Sequence, residues 1–258
     1  MTRKTDELTM RLTDIISGWK GVDCICIDRR SCDDEYDPNF ALVLDVYYRR
    51  GIPPAEQREK MFGFPGAFEA AAGGRTKDRF FLEEIPIRVE YKHIPGIQQI
   101  VTKPLHHIKF LKNAGTYPLY RLLNTSIVYQ ASDWINQMRS FLEAYPEEAW
   151  TMLFESFSLK MEHYLSDLGA ASVMDNRFYH IMSLAGFLRY AGASLFMINH
   201  TFEPSHAEYA GRLLSLPKLP ANFASVWTTI TDENSEPNEF RRFELARLLA
   251  REIIVMHP

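Results

Sequence analysis

Apolar positions recur at two different spacings along this chain, and the change between them divides it. Leu8, Leu12, Ile15, Ile16 and Trp19 fall mostly three or four apart. That is the period of one helix face, so the spacing predicts an amphipathic helix over 5–19. Gly18 and Gly21 bracket its end. Residues 22–27 (VDCICI) are short and β-branched and predict a strand. Residues 40–48 (FALVLDVYY) are nearly all apolar, the pattern of a central strand buried on both faces. A turn at 49–54 and a short helix at 55–62 follow. The Gly- and Ala-rich stretch 63–74 carries no clear period. Residues 80–82 predict a short strand. Residues 85–91 (IPIRVEY) alternate apolar with polar, as a strand with one apolar face does.

Beyond about residue 97 the helical period takes over and no further strand is predicted. One stripe runs through Trp134, Met138, Phe141, Leu142 and Tyr145. A second holds Trp150, Leu153, Phe154, Phe157, Met161, Tyr164 and Leu165. A third holds Phe178, Ile181, Met182, Ala185, Leu188, Leu195 and Phe196, with Gly192 on the same face. A fourth holds Phe240, Phe243, Ala246, Leu249, Ile253 and Met256. Ser205 and Glu208 have the spacing of a capping box. Strands first and helices after predict an α+β protein. A small mixed sheet with helices is expected over 1–105, and an all-helical bundle over 106–258.

Composition narrows the classes. The chain has 258 residues, 46% hydrophobic and 24% charged, enough apolar content for a real core. No apolar run reaches the ~18 residues of a spanning helix, so no membrane segment is expected. The polar start, 1–7, has no signal-peptide pattern, and a cytoplasmic location is expected. The net charge of −4 argues against general nucleic-acid binding, which needs a basic surface. Cys24, Cys26 and Cys32 are an odd set close together. They do not make a disulfide framework, no second ligand pair completes a zinc site, and buried free thiols are expected.

One residue does not fit its surroundings. Asp45 stands in the middle of FALVLDVYY, and an unpaired buried carboxylate costs several kcal/mol, on the order of a broken ion pair. It is salt-bridged, or it binds a cation, or its strand borders a cleft. Glu90 poses the same puzzle in IPIRVEY, on a face with Arg88 and Lys92. If the two strands are neighbours, both acids can enter one cleft. Carboxylates converging from adjacent strands are what magnesium beside phosphates needs. The plainer reading is an internal ion pair, such as Asp45 with Arg88.

Helix, strand, loop, acidic strand and a later strand with one more acid resemble the nucleotidyltransferase fold of the DNA polymerase beta type. TYPLYRLLN, FLEAYPEEAW and FMINHTFEPSHAEYAGRLLSLPKLP look like the helical domain that follows this core in kanamycin-nucleotidyltransferase-like and related bacterial proteins. The resemblance implies magnesium on Asp45 and Glu90, a nucleoside triphosphate, and a small hydroxylated acceptor. Ser31 would stand for the family's phosphate-positioning serine, with Arg30, Arg88 and Lys92 toward the phosphates. The chain departs from the pattern at two points. The acidic pair is incomplete, because Val43 and Tyr47 flank Asp45 at the alternate positions, and arginines replace the glycine of the Gly-Ser turn. Asp33, Asp34 or Asp37 are candidates for the missing acid, or solvated loop acids. Asn199, His200 and Glu203 either line the helical wall or cap a helix end.

Two functions follow. One is a nucleotidyltransferase using Asp45 and Glu90. The other is a non-catalytic relative that binds a nucleotide or another anion, or serves as an interaction module.

Overall fold

A computed structural model describes residues 2–28, 40–71, 76–174, 176–232 and 239–256. Arg30, Ser31, Cys32, Asp33, Asp34 and Asp37 lie outside the described residues.

The chain forms two compact units. The first comprises residues 1–103 and 121–144, the second 104–120 and 145–258. The units do not follow a single cut at 105/106, because 121–144 returns to the first.

The first unit opens with α1 (Thr2–Ser17), then β1 (Val22–Ile27), β2 (Leu42–Tyr48), α2 (Ala55–Met61), β3 (Gly66–Glu69), β4 (Lys77–Leu82), β5 (Ile85–His93) and α3 (Ile94–Thr102). α4 (Ile108–Ala114) belongs to the second unit, and the border between units falls inside α5 (Tyr117–Asn124). β6 (Ser126–Gln130) and α6 (Trp134–Glu143) complete the first unit. β6 corrects the expectation of no strand after residue 97. Its centre, Ile127, Val128 and Tyr129, is apolar, but five residues are too few to show a period that separates a strand from a helix.

The six strands run β3-β4-β5-β2-β1-β6. β2 and β5 are parallel and every other pairing is antiparallel. One face of the sheet packs Leu42, Leu44, Val46, Ile87 and Val89 against Leu8, Leu12 and Ile16 of α1. Period two then places Cys24, Cys26, Asp45, Tyr47, Glu90 and Lys92 on the opposite face.

A second charged pair lies near the first face. Arg58 of α2 and Asp78 of β4 are 2% and 0% exposed, so both charges are fully withdrawn from water. The Asp78 carboxylate accepts from Arg58 Nε (2.8 Å) and Nη2 (2.9 Å), from Ala71 N–H (2.6 Å) and from Tyr91 O–H (2.6 Å). The spare guanidinium protons go to the Pro53 and Ala71 carbonyls.

The second unit adds α7 (Glu147–Ala171), α8 (Arg177–Ile198), α9 (His206–Leu214), α10 (Phe223–Thr231) and α11 (Glu239–Met256). The second stripe is core: Leu153, Phe154, Phe157 and Met161 are buried. The third is core only in its later half. Leu195 and Phe196 are buried, while Phe178, Ile181 and Met182 are exposed. Phe240 of the fourth stripe is exposed too. Ser205 precedes α9, but its hydroxyl donates to Glu208 instead of capping a backbone N–H. α8 is long and apolar enough to cross a membrane by length and composition, despite Arg189, with 56% of that stretch buried. This corrects the expectation that no segment reaches that length. A helix packed against α7 in a core gains from the same composition.

Close packing of α7 on α8 rests on a glycine. A Cβ at Gly186 would lie 2.3 Å from the Tyr164 ring, which is itself stacked on Tyr190. Gly186→Ala is therefore expected to lower stability by about 1–3 kcal/mol, as overpacking does. Gly211→Ala, with nothing within 4 Å, should instead raise it by up to about 1 kcal/mol. Urea midpoints of the two variants check this, and equal gains from both would remove the packing argument.

Candidate functional site

The face opposite α1 carries the charged cluster. The parallel register of β2 and β5 sets Asp45 directly beside Glu90. The two acids are neighbours, as the period-two reading allows. Asp45 is 1% exposed, and Glu90 sits at the rim at 9%.

Bases hold both acids. Lys92 Nζ lies 2.8 Å from Asp45 Oδ2, and Arg121 Nη2 lies 2.7 Å from Asp45 Oδ1. Arg121 Nη1 donates to Glu90 Oε2 at 3.1 Å, and Lys77 Nζ is 3.1 Å from Glu90 Oε1. Every carboxylate oxygen of the pair thus meets a cation. Arg121 bridges the two acids with one guanidinium, the forked geometry that suits it to such a place better than lysine.

Local structure explains how Arg121 arrives there. It lies in α5, whose last turn leaves carbonyls without helical partners. Arg139 of α6 donates to two backbone carbonyls there, Leu122 (3.0 Å) and Thr125 (2.5 Å). Thr125 Oγ1 donates to the Arg121 carbonyl at 2.9 Å. The start of α6 is fixed in turn by Ser132, which donates to Asp23 and accepts from Trp134 N–H. Arg49 pairs with the same Asp23 at 2.7 Å.

The electrostatics differ across the cluster. Burial pushes the Asp45 carboxyl up, against the pull of Lys92 and Arg121. Burial pushes Glu90 up too, but Arg121, Lys92 and Lys77 outweigh it and hold the group below the ordinary range. Burial lowers Lys92, and Arg121 adds to that, while Asp45 and Glu90 partly offset it. Burial thus works against the charged form of the deeper acid, while the surrounding bases favour the charged form of the rim acid.

Tyr47 closes one side. Lys92 Nζ lies 5.5 Å from its ring centroid, and Trp134 packs on it at 5.4 Å. Cys24 and Cys26 share this face as buried free thiols, their sulfurs 3.6 Å apart, and Cys26 stands opposite Asp45 in register. Contact with Cys26 and burial push the Cys24 thiol far up.

Of the residues expected at a phosphate, Lys92 joins the cluster and Arg88 does not pair with Asp45. Arg88 is half-buried, beside Val43 on one strand and Arg79 on the other. The partners that the sequence reading missed are Arg121 and Lys77. Arg121 left one signal, a lone arginine within the apolar phrase TYPLYRLLN. Among the described residues, no group of three or more His, Cys, Asp or Glu side chains gathers where a metal ion could sit.

No family model matches the chain, and no curated protein matches it. Among solved structures it is similar to the nucleotidyltransferase-like protein from Exiguobacterium sibiricum 255-15. The identity is 10% and the TM-score 0.52, over 96% of this chain and 73% of that one. At that identity the likeness is one of fold. The chain has an α+β, nucleotidyltransferase-like fold with a helical C-terminal region.

Proposed function

We propose that this chain is a non-catalytic member of the nucleotidyltransferase-like folds, with an anion-binding face in place of a metal site. The observation that carries the reading is the pairing of both acids with bases. Asp45 and Glu90 supply two negative charges, and Arg121, Lys92 and Lys77 supply three positive ones. Magnesium needs oxygen ligands free to face it. Here each carboxylate oxygen already faces an ammonium or guanidinium, so this donor set does not fit the ion. Lys77 reaches water with 41% of its side chain and Lys92 with 19%, which leaves a positive rim for a nucleotide phosphate or similar anion. A cytoplasmic setting belongs to the same proposal, since the buried thiols of Cys24 and Cys26 suit a reducing compartment.

The transferase reading keeps one observation in its favour, the side-by-side placement of Asp45 and Glu90. Thermal-shift titration with nucleoside triphosphates, with and without magnesium, separates the two. A ligand near 100 times its dissociation constant adds about 2.7 kcal/mol. The expected result is stabilisation that is indifferent to magnesium and weakened in Lys77→Gln, with no pyrophosphate released in the presence of hydroxylated acceptors. Stabilisation that requires magnesium and disappears in Asp45→Asn would establish the transferase instead.

A further inference from the structure

The second unit contains a cavity of about 320 Å³, within the size range of small-molecule sites. Its walls include Tyr117, Leu188, Arg189, Glu203, Tyr209 and Trp227. Three tyrosine or tryptophan rings, the His206 imidazole, one carboxylate and one guanidinium therefore border the same space.

The carboxylate is fixed in place. Glu203 is 9% exposed, and its Oε2 accepts from Thr116 N–H at 3.0 Å and from Thr116 Oγ1 at 3.1 Å. The Glu203 N–H donates back to Thr116 Oγ1 at 2.8 Å. Gly115 makes room for this arrangement, since its φ is +77° and a Cβ there would lie 3.2 Å from Oε2. The other oxygen, Oε1, has no hydrogen-bond partner among the described residues. A carboxylate this withdrawn from water, with one oxygen unused, favours a cationic donor.

The guanidinium is available as well. Arg189 lies 5.5 Å above the Tyr190 ring and forms no ion pair among the described residues, with Glu203 or with any other acid. Its backbone carbonyl takes the Tyr209 O–H at 3.1 Å, which ties the aromatic wall to the same turn of α8. Opposite charges thus border one apolar hollow without pairing with each other, and the Lys160 ammonium is close enough to feel both.

We propose that this cavity binds a free L-α-amino acid with an apolar or aromatic side chain. Its ammonium group meets Glu203 Oε1 and the aromatic faces, which attract cations. Its carboxylate meets the Arg189 guanidinium, for which a planar two-donor fork is the natural partner. Its side chain lies against Trp227, Tyr117 and Leu188. A zwitterion is the ligand class that satisfies both charges at once, whereas a simple cation would leave Arg189 beside it and a simple anion would face Glu203. The site is separate from the Asp45 cluster, and the inference does not depend on the reading of that cluster.

The test uses the full chain and calorimetric titration with L-phenylalanine, L-leucine, L-methionine and L-tryptophan. Phenylalaninamide, which lacks the carboxylate, and N-acetyl-phenylalanine, which lacks the ammonium, serve as controls. At least one free amino acid is expected to bind, and both blocked forms of phenylalanine to bind at least about tenfold more weakly than the free one. Arg189→Gln, at an exposed position, should abolish the preference for phenylalanine over its amide. Glu203→Gln should weaken binding of the free amino acid by about tenfold or more. Absence of binding by all four amino acids overturns the proposal. So does equal binding of the amide, which would mark a cation site, or full binding in the Arg189→Gln variant, which would put the ligand elsewhere. Should Glu203→Gln fail to fold, Arg189→Gln and the two blocked ligands still decide.

Discussion

Arg121→Ala is expected to destabilise the first unit by about 3–5 kcal/mol at neutral pH, the cost of stranding buried charge. The guanidinium is 7% exposed and faces both Asp45 and Glu90, so its removal leaves two acids with one lysine each. The pH dependence has a definite sign. Glu90 is held below its ordinary value in the fold, so its favourable contribution is present above the carboxylate range and is lost as pH falls. Asp45 is raised, so its ionisation works against the fold as pH rises. Both acids need Arg121 only when charged. The gap between Arg121→Ala and the parent should therefore narrow as pH falls through the carboxylate range. Asp45→Asn should cost less than Arg121→Ala, since it removes the charge that burial already disfavours. Urea denaturation at neutral and mildly acidic pH measures all of this. A loss below about 1 kcal/mol for Arg121→Ala, the worth of an exposed pair, would show that the cluster is wet.

Asp78→Ala should be at least as damaging, again about 3–5 kcal/mol. It strands the Arg58 charge and leaves the Ala71 N–H and the Tyr91 O–H without their acceptor. Asp78→Asn keeps one acceptor oxygen and should recover part of the loss. The two urea midpoints, compared with the parent, give the answer. If both variants match the parent, the pair stabilises nothing. Neither Arg58 nor Asp78 belongs to the Asp45 cluster, so this effect should leave anion binding by the residual folded protein unchanged.

The sequence made some of this legible, and the physical reasons are particular. β1, β2 and β5 were readable because each is apolar enough, or alternates cleanly enough, to show its faces. Asp45 stood out because a carboxylate in FALVLDVYY violates its surroundings, and period two then put Glu90 and Lys92 within its reach. Its main partner was not readable. Arg121 lies 31 residues from Glu90 in sequence and comes from a helix, so no local period connects them. The proposed partner Arg88 was one residue-pair short, because the acid at position 45 is opposite position 90 and Lys92 reaches back along the strand. The Arg58–Asp78 pair gave no signal at all, since Arg58 sits in the polar phrase AEQREKM and Asp78 in the charged KDR that precedes the apolar strand residues 80–82. Glu203 was singled out after an apolar helix as a wall or a cap. It lines a cavity and also holds Thr116, a role that only tertiary structure could supply.

β6 has a consequence for how the protein is made. It pairs with β1, which was synthesised about a hundred residues earlier, and the chain leaves for another unit in between. During translation β1 must wait with one edge open, and an open edge is a template for the wrong partner. A fragment ending at residue 105 would keep that edge bare permanently and would lack Arg121 as well. Such a fragment should aggregate as it emerges, while one ending after residue 144 carries everything the sheet needs to close.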